Sequence, residues 1–513
     1  MKENANRQYR QIVKYTGYFG GVQGLNILAA LVRNKVVAVL LGPIGLGLIS
    51  LYNTAVKLIG DTTNLGIPVS SVRYLSECQE EPDRCRMVAT VRLWSLLTAT
   101  LGAVVCCVLV PFFRLFYFST EMRFAEFLWL VPVVALTAVT AGELSILKGL
   151  HRMREVATQS VVNAMLSLVV TLPLFWLLGN EGILPALVAA AVAASVTVLW
   201  FSLRVYPYRL PHSFRHAISA GGGMVRLGVA FVIAGAMGSG VEFAVRAFIA
   251  NSGTLADVGL YNAGYVVTVT YASIVFMSME TEYFPRLSAV NHDEEACNAT
   301  VNRQIEVSVL LLAPLLVAFM LLLAPLLVAF MLLLPFVIHV LYSSMFLPAL
   351  GMIRFGVVAM LLRAVMLPME YMSLAKGRPW IYLLTEGVYD IAAVGAVVAG
   401  YSLWGIDGAG AGLLVAAVFN CVIDFVACRH YYRYRIAKKS VKMFSVQILP
   451  LVASYFVTVF CTGALQWVLG VALFGMSAAI SYRVLERESG LMTAIINKFK
   501  RKHDEGIDSD SSL

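Results

Sequence analysis

The chain has 513 residues, 59% hydrophobic and 13% charged, with a formal net charge of +9 and a mean hydropathy of +0.78. Soluble domains carry roughly twice that fraction of charge, so a secreted disulfide scaffold, a disordered chain and a nucleic-acid-binding domain are excluded. At about 35 residues per spanning helix and loop, the length allows about 14 crossings, and the expected class is an all-α polytopic membrane protein.

Residues 1–16 are polar, with no short apolar run and cleavage site behind them, so no cleaved signal peptide is expected and the segment reads as a cytoplasmic N-terminus. Apolar stretches follow at Gly17–Leu41, Leu46–Val69, Val88–Phe112, Phe127–Leu147, Val156–Leu178 and Ile183–Val205. These six form a first lobe, residues 17–205. A polar, glycine-bearing linker at 206–226 separates it from residues 227–432. That second lobe holds Leu227–Ala250, Val258–Met279, Val307–Val340, Leu350–Ala375, Ile381–Tyr401 and Ala409–Ala427. Two shorter stretches, Val446–Cys461 and Ala464–Ile480, lie in residues 433–482, and 483–513 form a cytoplasmic tail.

Lysine and arginine test the span count. With this map, 31 of the 39 fall in the N-terminus, alternate loops and the tail, and only Arg114 and Arg123 fall in the opposite loops. Arg73, Arg84, Arg86 and Arg92 are counted together in the first cytoplasmic loop. The excess places both termini in the cytoplasm. Topology therefore accounts for the net charge without a nucleic-acid partner.

Three matches link the two lobes. Val32-Arg33 resembles Val245-Arg246, Leu51-Tyr52-Asn53 recurs as Leu260-Tyr261-Asn262, and Arg73 with Leu75-Ser76 resembles Arg286-Leu287-Ser288. Six spans is an even number, so the lobes are parallel repeats related by a pseudo-twofold along the membrane normal. Within the ninth stretch, LLLAPLLVAFM occupies Leu310–Met320 and again Leu321–Met331. Eleven residues turn a helix by only about 20° past three full turns and lengthen it by roughly 16 Å. The repeat reads as an in-frame duplication and not as a functional motif.

Eight cysteines form no CxxC pair or disulfide framework, and no histidine has metal-ligand spacing. GPIGLGL (Gly42–Leu48) reads as a tight external turn and GAGAG (Gly408–Gly412) as small-residue helix packing. Neither leads into GK[ST], so no nucleotide site and no cofactor are expected.

The informative residues are charges inside spans, where each costs about 2.5–3.5 kcal/mol and so faces a cavity or a partner. The cations are Arg33, Lys35, Lys57, Arg246, Arg354 and Arg363. Lys57 and Asp61 stand four apart, as do Glu242 and Arg246, so each pair shares a helix face and has a self-neutralising reading beside the functional one. Arg33 and Lys35 have no acid in their span, and only Glu370 shares the face of Arg363. A watery cavity lined by this cationic surplus suits an anion, above all a phosphate or diphosphate. Glu143, Glu386, Asp390 and Asp424 are the further intraspan acids. Glu386 and Asp390, four apart, read either as a proton site or as a polar packing pair. Asp61, Glu143, Glu242, Glu370, Glu386 and Asp390 together are the candidate ion- or proton-coupling residues.

The segment GGVQGLNILAALVRNKVVAVLLGPIGLGLISLYN (Gly20–Asn53) resembles the first two spans of Wzx-type O-antigen and lipid-linked oligosaccharide flippases. These form the polysaccharide-transport branch of the multidrug/oligosaccharidyl-lipid/polysaccharide (MOP) exporter superfamily. DVGLYNAGYVV and YFPRLSAV, within Asp257–Val290, are also similar to it. The resemblance implies a MATE-like V of two six-helix lobes with two extra helices, in the inner membrane of a bacterium. It implies passage of undecaprenyl-diphosphate-linked oligosaccharide from the cytoplasmic to the periplasmic leaflet, by a monomer without enzymatic activity. Arg33, Lys35, Lys57 and Arg246 match positions where related flippases carry cavity cations; Arg354 and Arg363 are added from charge alone. A glycan polymerase and a chain-length regulator of the same pathway are the partners implied. The alternatives left open are a drug or cation antiporter of MATE type, a lipid II flippase, and a membrane glycan polymerase.

Overall fold

The computed structural model describes residues 25–26, 28–78, 80–116, 127–208, 214–270, 287, 294–310 and 323–489. Among them every regular element is helical. The first half comprises α1 (28–40), α2 (Gly42–Thr63), α3 (Ile67–Glu77), α4 (Glu81–Phe116), α5 (Leu130–Gly149), α6 (Met153–Leu178) and α7 (Ile183–Val205). After the polar segment come α8 (Phe214–Ser252) and α9 (Leu255–Tyr265), the latter running into a π turn at Val266–Thr270. The remainder is α10 (Glu294–Leu310), α11 (Leu323–Leu341), α12 (Leu350–Ala375), α13 (Pro379–Tyr432), α14 (Lys438–Phe460) and α15 (Ala464–Ser489).

Eight stretches of described helix are long and apolar enough to cross a membrane, and Met331–Leu341 and Ala464–Ile480 are shorter apolar helices. Two of the eight, Met153–Val205 and Trp380–Tyr432, are 53 residues long and fold back on themselves. In the first, a 3₁₀ turn at Gly179–Gly182 reverses the chain. In the second, Trp404 and Gly405 (φ +61) leave the helical region and split α13 into two antiparallel arms. A Cβ on Gly408 would lie 1.9 Å from the Gly400 carbonyl oxygen, so the arms touch backbone to backbone through the glycines expected to pack there. The expected stretches at Gly17–Leu41, Val258–Met279 and Val307–Val340 lie partly outside the described residues, as does most of the first LLLAPLLVAFM copy. From Leu323 onward the second copy lies in α11, with Val328 and Met331 buried.

GPIGLGL is not an external turn. Only Leu41 breaks the helix, because Gly42 takes φ +65, and Pro43, lacking an N–H, sits in the first turn of α2. Gly45–Leu48 are already helical, and their small side chains serve packing: a Cβ on Gly47 would lie 2.1 Å from the Leu255 carbonyl oxygen, and one on Gly259 would lie 1.9 Å from that of Pro43. α2 and α9 therefore cross at contact distance. The other end of α2 stops at Asn64, whose Oδ1 accepts the Gly66 N–H at 2.7 Å in an Asx turn.

The chain packs as two compact units, Met1–Asn262 with Ile338–Leu347, and Ala263–Val337 with Pro348–Leu513. In the first, α4 packs on α5, α5 on α7, and α8 on α2, α3 and α4. Ile67, Leu75, Val88, Val91, Ile146 and Met224 form a core there. In the second, α12 packs along α13, α14 on α15 and α10 on α12. Met369, Met372, Cys428, Tyr434 and Met443 close that core. Large apolar side chains such as Trp176, Ile391 and Phe460 are more than 70% exposed, as a lipid-facing surface requires.

Candidate functional site

The intraspan charges sort by what each one touches. In the first unit, Lys35 on α1 donates to the carbonyl oxygens of His339, at 2.6 Å, and Tyr342. These are the last carbonyls of α11, which lack intrahelical partners and carry the negative end of the helix dipole. Lys35 is thus a C-terminal cap. Arg33, two residues earlier on the same helix, is exposed.

Arg246 is 3% exposed and binds three elements together. Its Nε donates to Ser50 Oγ on α2 at 2.8 Å, Nη1 to the Glu242 carbonyl at 2.9 Å and Nη2 to Asn262 Oδ1 at 3.2 Å. Ser50 Oγ in turn donates to Asn262 Oδ1 at 2.8 Å, and the guanidinium lies 5.6 Å from the ring centre of Tyr261. The repeated Tyr261-Asn262 pair therefore anchors Arg246. Ser50 carried no sequence signal, because its role depends on the helix crossing at Gly47.

Arg246 and Glu242 do share a helix face, yet the Glu242 carboxylate turns elsewhere. Its Oε1 takes a 2.8 Å ion pair from Lys57 Nζ on α2. The pair is only partly buried: the Lys57 side chain is 50% exposed and that of Glu242 24%. Asp61, one turn from Lys57, stands within its electrostatic reach and beside Ser239 and Gly235 of α8. The expected intrahelical pairs are thus replaced by one interhelical pair with a second carboxylate next to it.

Glu143 does not stand alone as a coupling candidate would. It forms a two-pronged ion pair with Arg92, Nε to Oε1 at 2.9 Å and Nη2 to Oε2 at 3.3 Å, with the two side chains 1% and 3% exposed. Ser202 Oγ donates to Glu143 Oε2, and Arg92 also reaches the carbonyls of Tyr206 and Pro207, at 3.1 and 2.8 Å. Arg92 is therefore not the cytoplasmic-loop charge of the sequence map; α4 continues through it into the core. Just beyond α7, the Tyr206 hydroxyl donates to Glu81 at 2.8 Å. Partial burial, then that carboxylate, raise the Tyr206 pKa above its ordinary value.

In the second unit, Arg354 Nη2 donates to the Thr458 carbonyl at 3.0 Å and docks α14 on α12, with Asp407 and Tyr455 nearby. Arg363 sits among acids. Glu370 on its own helix, Glu386 and Asp390 on the first arm of α13, and Asp424 on the second arm form one charged set. Asn420 donates to Glu370 Oε1 at 3.2 Å. Asp390 and Asp424 are 8% and 4% exposed, and each has one buried carboxyl oxygen without a hydrogen-bond partner, as does the Nε of Arg363. Helix spacing brings Glu386 to Asp390, but the inclusion of Asp424 and Asn420 follows from the fold of α13. Among the described residues no group of three His, Cys, Asp or Glu is placed to hold a metal ion.

A family described as "Polysaccharide biosynthesis protein" matches residues 12–291. No curated protein sequence matches the chain. An inward-facing multidrug resistance MATE family transporter of the MOP superfamily is similar over 80% of this chain and 94% of its own, at 15% identity and a TM-score of 0.64. The lipid II flippase MurJ in an inward closed conformation is similar over 91% of this chain and 99% of its own, at 12% identity and a TM-score of 0.65. A MOP superfamily transporter from Pyrococcus furiosus, described as having a binding pocket of reverse polarity, aligns over 81% and 93% at 15% identity and a TM-score of 0.50. At these identities the likeness establishes the fold, that of MOP superfamily transporters.

Proposed function

This chain belongs to the polysaccharide biosynthesis protein family, and from that premise we propose that it flips undecaprenyl-diphosphate-linked oligosaccharide, an O-antigen or related unit. Transport runs from the cytoplasmic to the periplasmic leaflet by alternating access, in a bacterial inner membrane with both termini cytoplasmic. The observation that carries this reading is Lys57. A cation fifteen residues into the span Gly42–Thr63 and half exposed is too costly to face lipid, so it marks a watery path through the first unit. There it receives the diphosphate, with exposed Arg33 as a second cation. Lys35, Arg246 and Arg354 hold the walls of their own units through the contacts described above, and Arg363 stands beside the acids of the second unit. Glu370, Glu386, Asp390 and Asp424 are the proposed coupling groups. The chain works as a monomer and hands the glycan to a polymerase and a chain-length regulator.

The test is glycan export in cells, with membrane insertion measured beside it. Lys57→Ala and Arg33→Ala each abolish export at wild-type protein level, and Arg33→Lys retains part of it because an ammonium lacks the bidentate fork. Normal export by both alanine variants refutes the anion path. A second reading, a drug or cation antiporter, is favoured by the carboxylate set of the second unit. It requires cation-dependent efflux of a lipophilic dye from vesicles, lost in Asp424→Asn.

A further inference from the structure

We propose that Glu242 is a built-in competitor for the anion that Lys57 receives, and that an anion entering there brings a proton with it. The inference rests on the reading of Lys57 as an anion site and specifies how that site is regulated.

Lys57 faces two carboxylates, Glu242 at 2.8 Å and Asp61 one turn along α2, so carboxylates outnumber cations in the immediate reach of its ammonium. The other groups around it do not reverse this. On α8, Arg246 lies one turn beyond Glu242 but is committed to Ser50 and Asn262. α4 and α5, which pack on α2, meet in the closed Arg92–Glu143 pair. On α3, Arg73 is paired with Glu77; on α9, Asp257 accepts from Thr254; on α7, Arg204 lies over Trp200. On α1, Lys35 caps α11 and Arg33 is exposed. A phosphate drawn to Lys57 therefore competes with Glu242 for the ammonium, and it faces two carboxylates of its own sign. A proton from solvent on either carboxylate removes one of those charges and no covalent step is involved.

The surroundings leave room for the exchange. Gly60 shares the helix face of Lys57, and Gly238 that of Glu242. A Cβ on either glycine would meet no atom within 4 Å. The ion pair thus stands beside open space, and its half-exposed geometry makes it weak enough to be exchanged.

The experiment is calorimetric titration of the purified full chain with inorganic pyrophosphate, at one pH, in two buffers of different ionisation enthalpy. The difference between buffers counts the protons taken up on binding. Wild type takes up about one proton per pyrophosphate, and Glu242→Gln binds roughly fivefold tighter at alkaline pH with reduced uptake. Asp61→Asn provides the same comparison if Glu242→Gln does not purify. Wild-type binding without proton uptake, or neutralised variants that bind no tighter, overturns the competition while leaving Lys57 an anion site. Failure of wild type and both neutralised variants to bind, or unchanged binding by Lys57→Ala, overturns the anion-site reading itself.

Discussion

Arg92→Met is the perturbation with the most sharply defined consequence. Five contacts hold the guanidinium: both Glu143 oxygens, the carbonyls of Tyr206 and Pro207, and Ser202 Oγ. Methionine fills much of the same volume but donates to none of them. Glu143, 3% exposed, is then left with the Ser202 hydroxyl as its remaining donor. Removing one partner of a buried pair costs about 3–5 kcal/mol, because the other charge stays buried and uncompensated. Replacing both partners by apolar residues of similar size is often near neutral. Arg92→Met is therefore expected to lose about 3–5 kcal/mol, and Arg92→Met with Glu143→Leu to recover more than half of it. Thermal unfolding of the detergent-purified chain, read as the fraction remaining monodisperse after heating, measures both. A single variant as stable as wild type, or a double variant less stable than the single, refutes the clamp. Stable protein with lost transport in Glu143→Gln would return Glu143 to the coupling candidates.

Three further outcomes are expected. Gly47→Leu places a Cβ 2.1 Å from the Leu255 carbonyl oxygen and lowers the yield of monodisperse protein, whereas Gly60→Ala meets nothing within 4 Å and leaves the yield unchanged; equal yields would show that the α2–α9 crossing does not need the glycine. Deleting Leu321–Met331 leaves export intact, since the first copy offers the same residues on a face rotated by only about 20°; loss of export at a normal protein level would show that the long helix is required. Reporter fusions at Asn180 and Ser252 read periplasmic and a fusion at Arg84 reads cytoplasmic; a cytoplasmic signal at Asn180 refutes the topology of the first six helices.

Legibility in the sequence followed the range of each interaction. Apolar length defines a helix locally, and Leu350–Ala375 as read from hydropathy is the helix α12 itself. The GAGAG packing was equally readable, since small residues have few other uses between two apolar runs. Side-chain partners were harder. Four-residue spacing identified which groups share a face, but it paired Lys57 with Asp61 and Glu242 with Arg246, where the helix crossing joins Lys57 to Glu242 instead. A charge near a span end, such as Arg92, reads as cytoplasmic in sequence, but its acid lies on another helix, 51 residues away. Asp424 was visible as an intraspan acid, but its place beside Glu370 depends on the reversal of α13 at Trp404-Gly405.

The fixed and exchangeable charges differ in energy as well as position. A buried pair such as Arg92–Glu143 is costly to open, so it keeps one geometry while a transporter changes state. An exposed pair is worth about 0–1 kcal/mol, too little to hold helices together but little enough for a ligand to replace. Cargo with a permanent anionic group needs a cation that can be released, and a buried guanidinium whose three nitrogens each hold a protein acceptor is a poor receptor. Arg246, in a repeat position and deep in its span, looked from sequence like the natural ligand of a diphosphate; its bonds to Ser50, Glu242 and Asn262 make it a rivet. Lys57 carries the same charge on a flexible four-carbon stem, half exposed and paired with one carboxylate. In the proposed reading the cargo's anion and Glu242 compete for the Lys57 ammonium, which makes Lys57 and Glu242 the residues at which to test transport first.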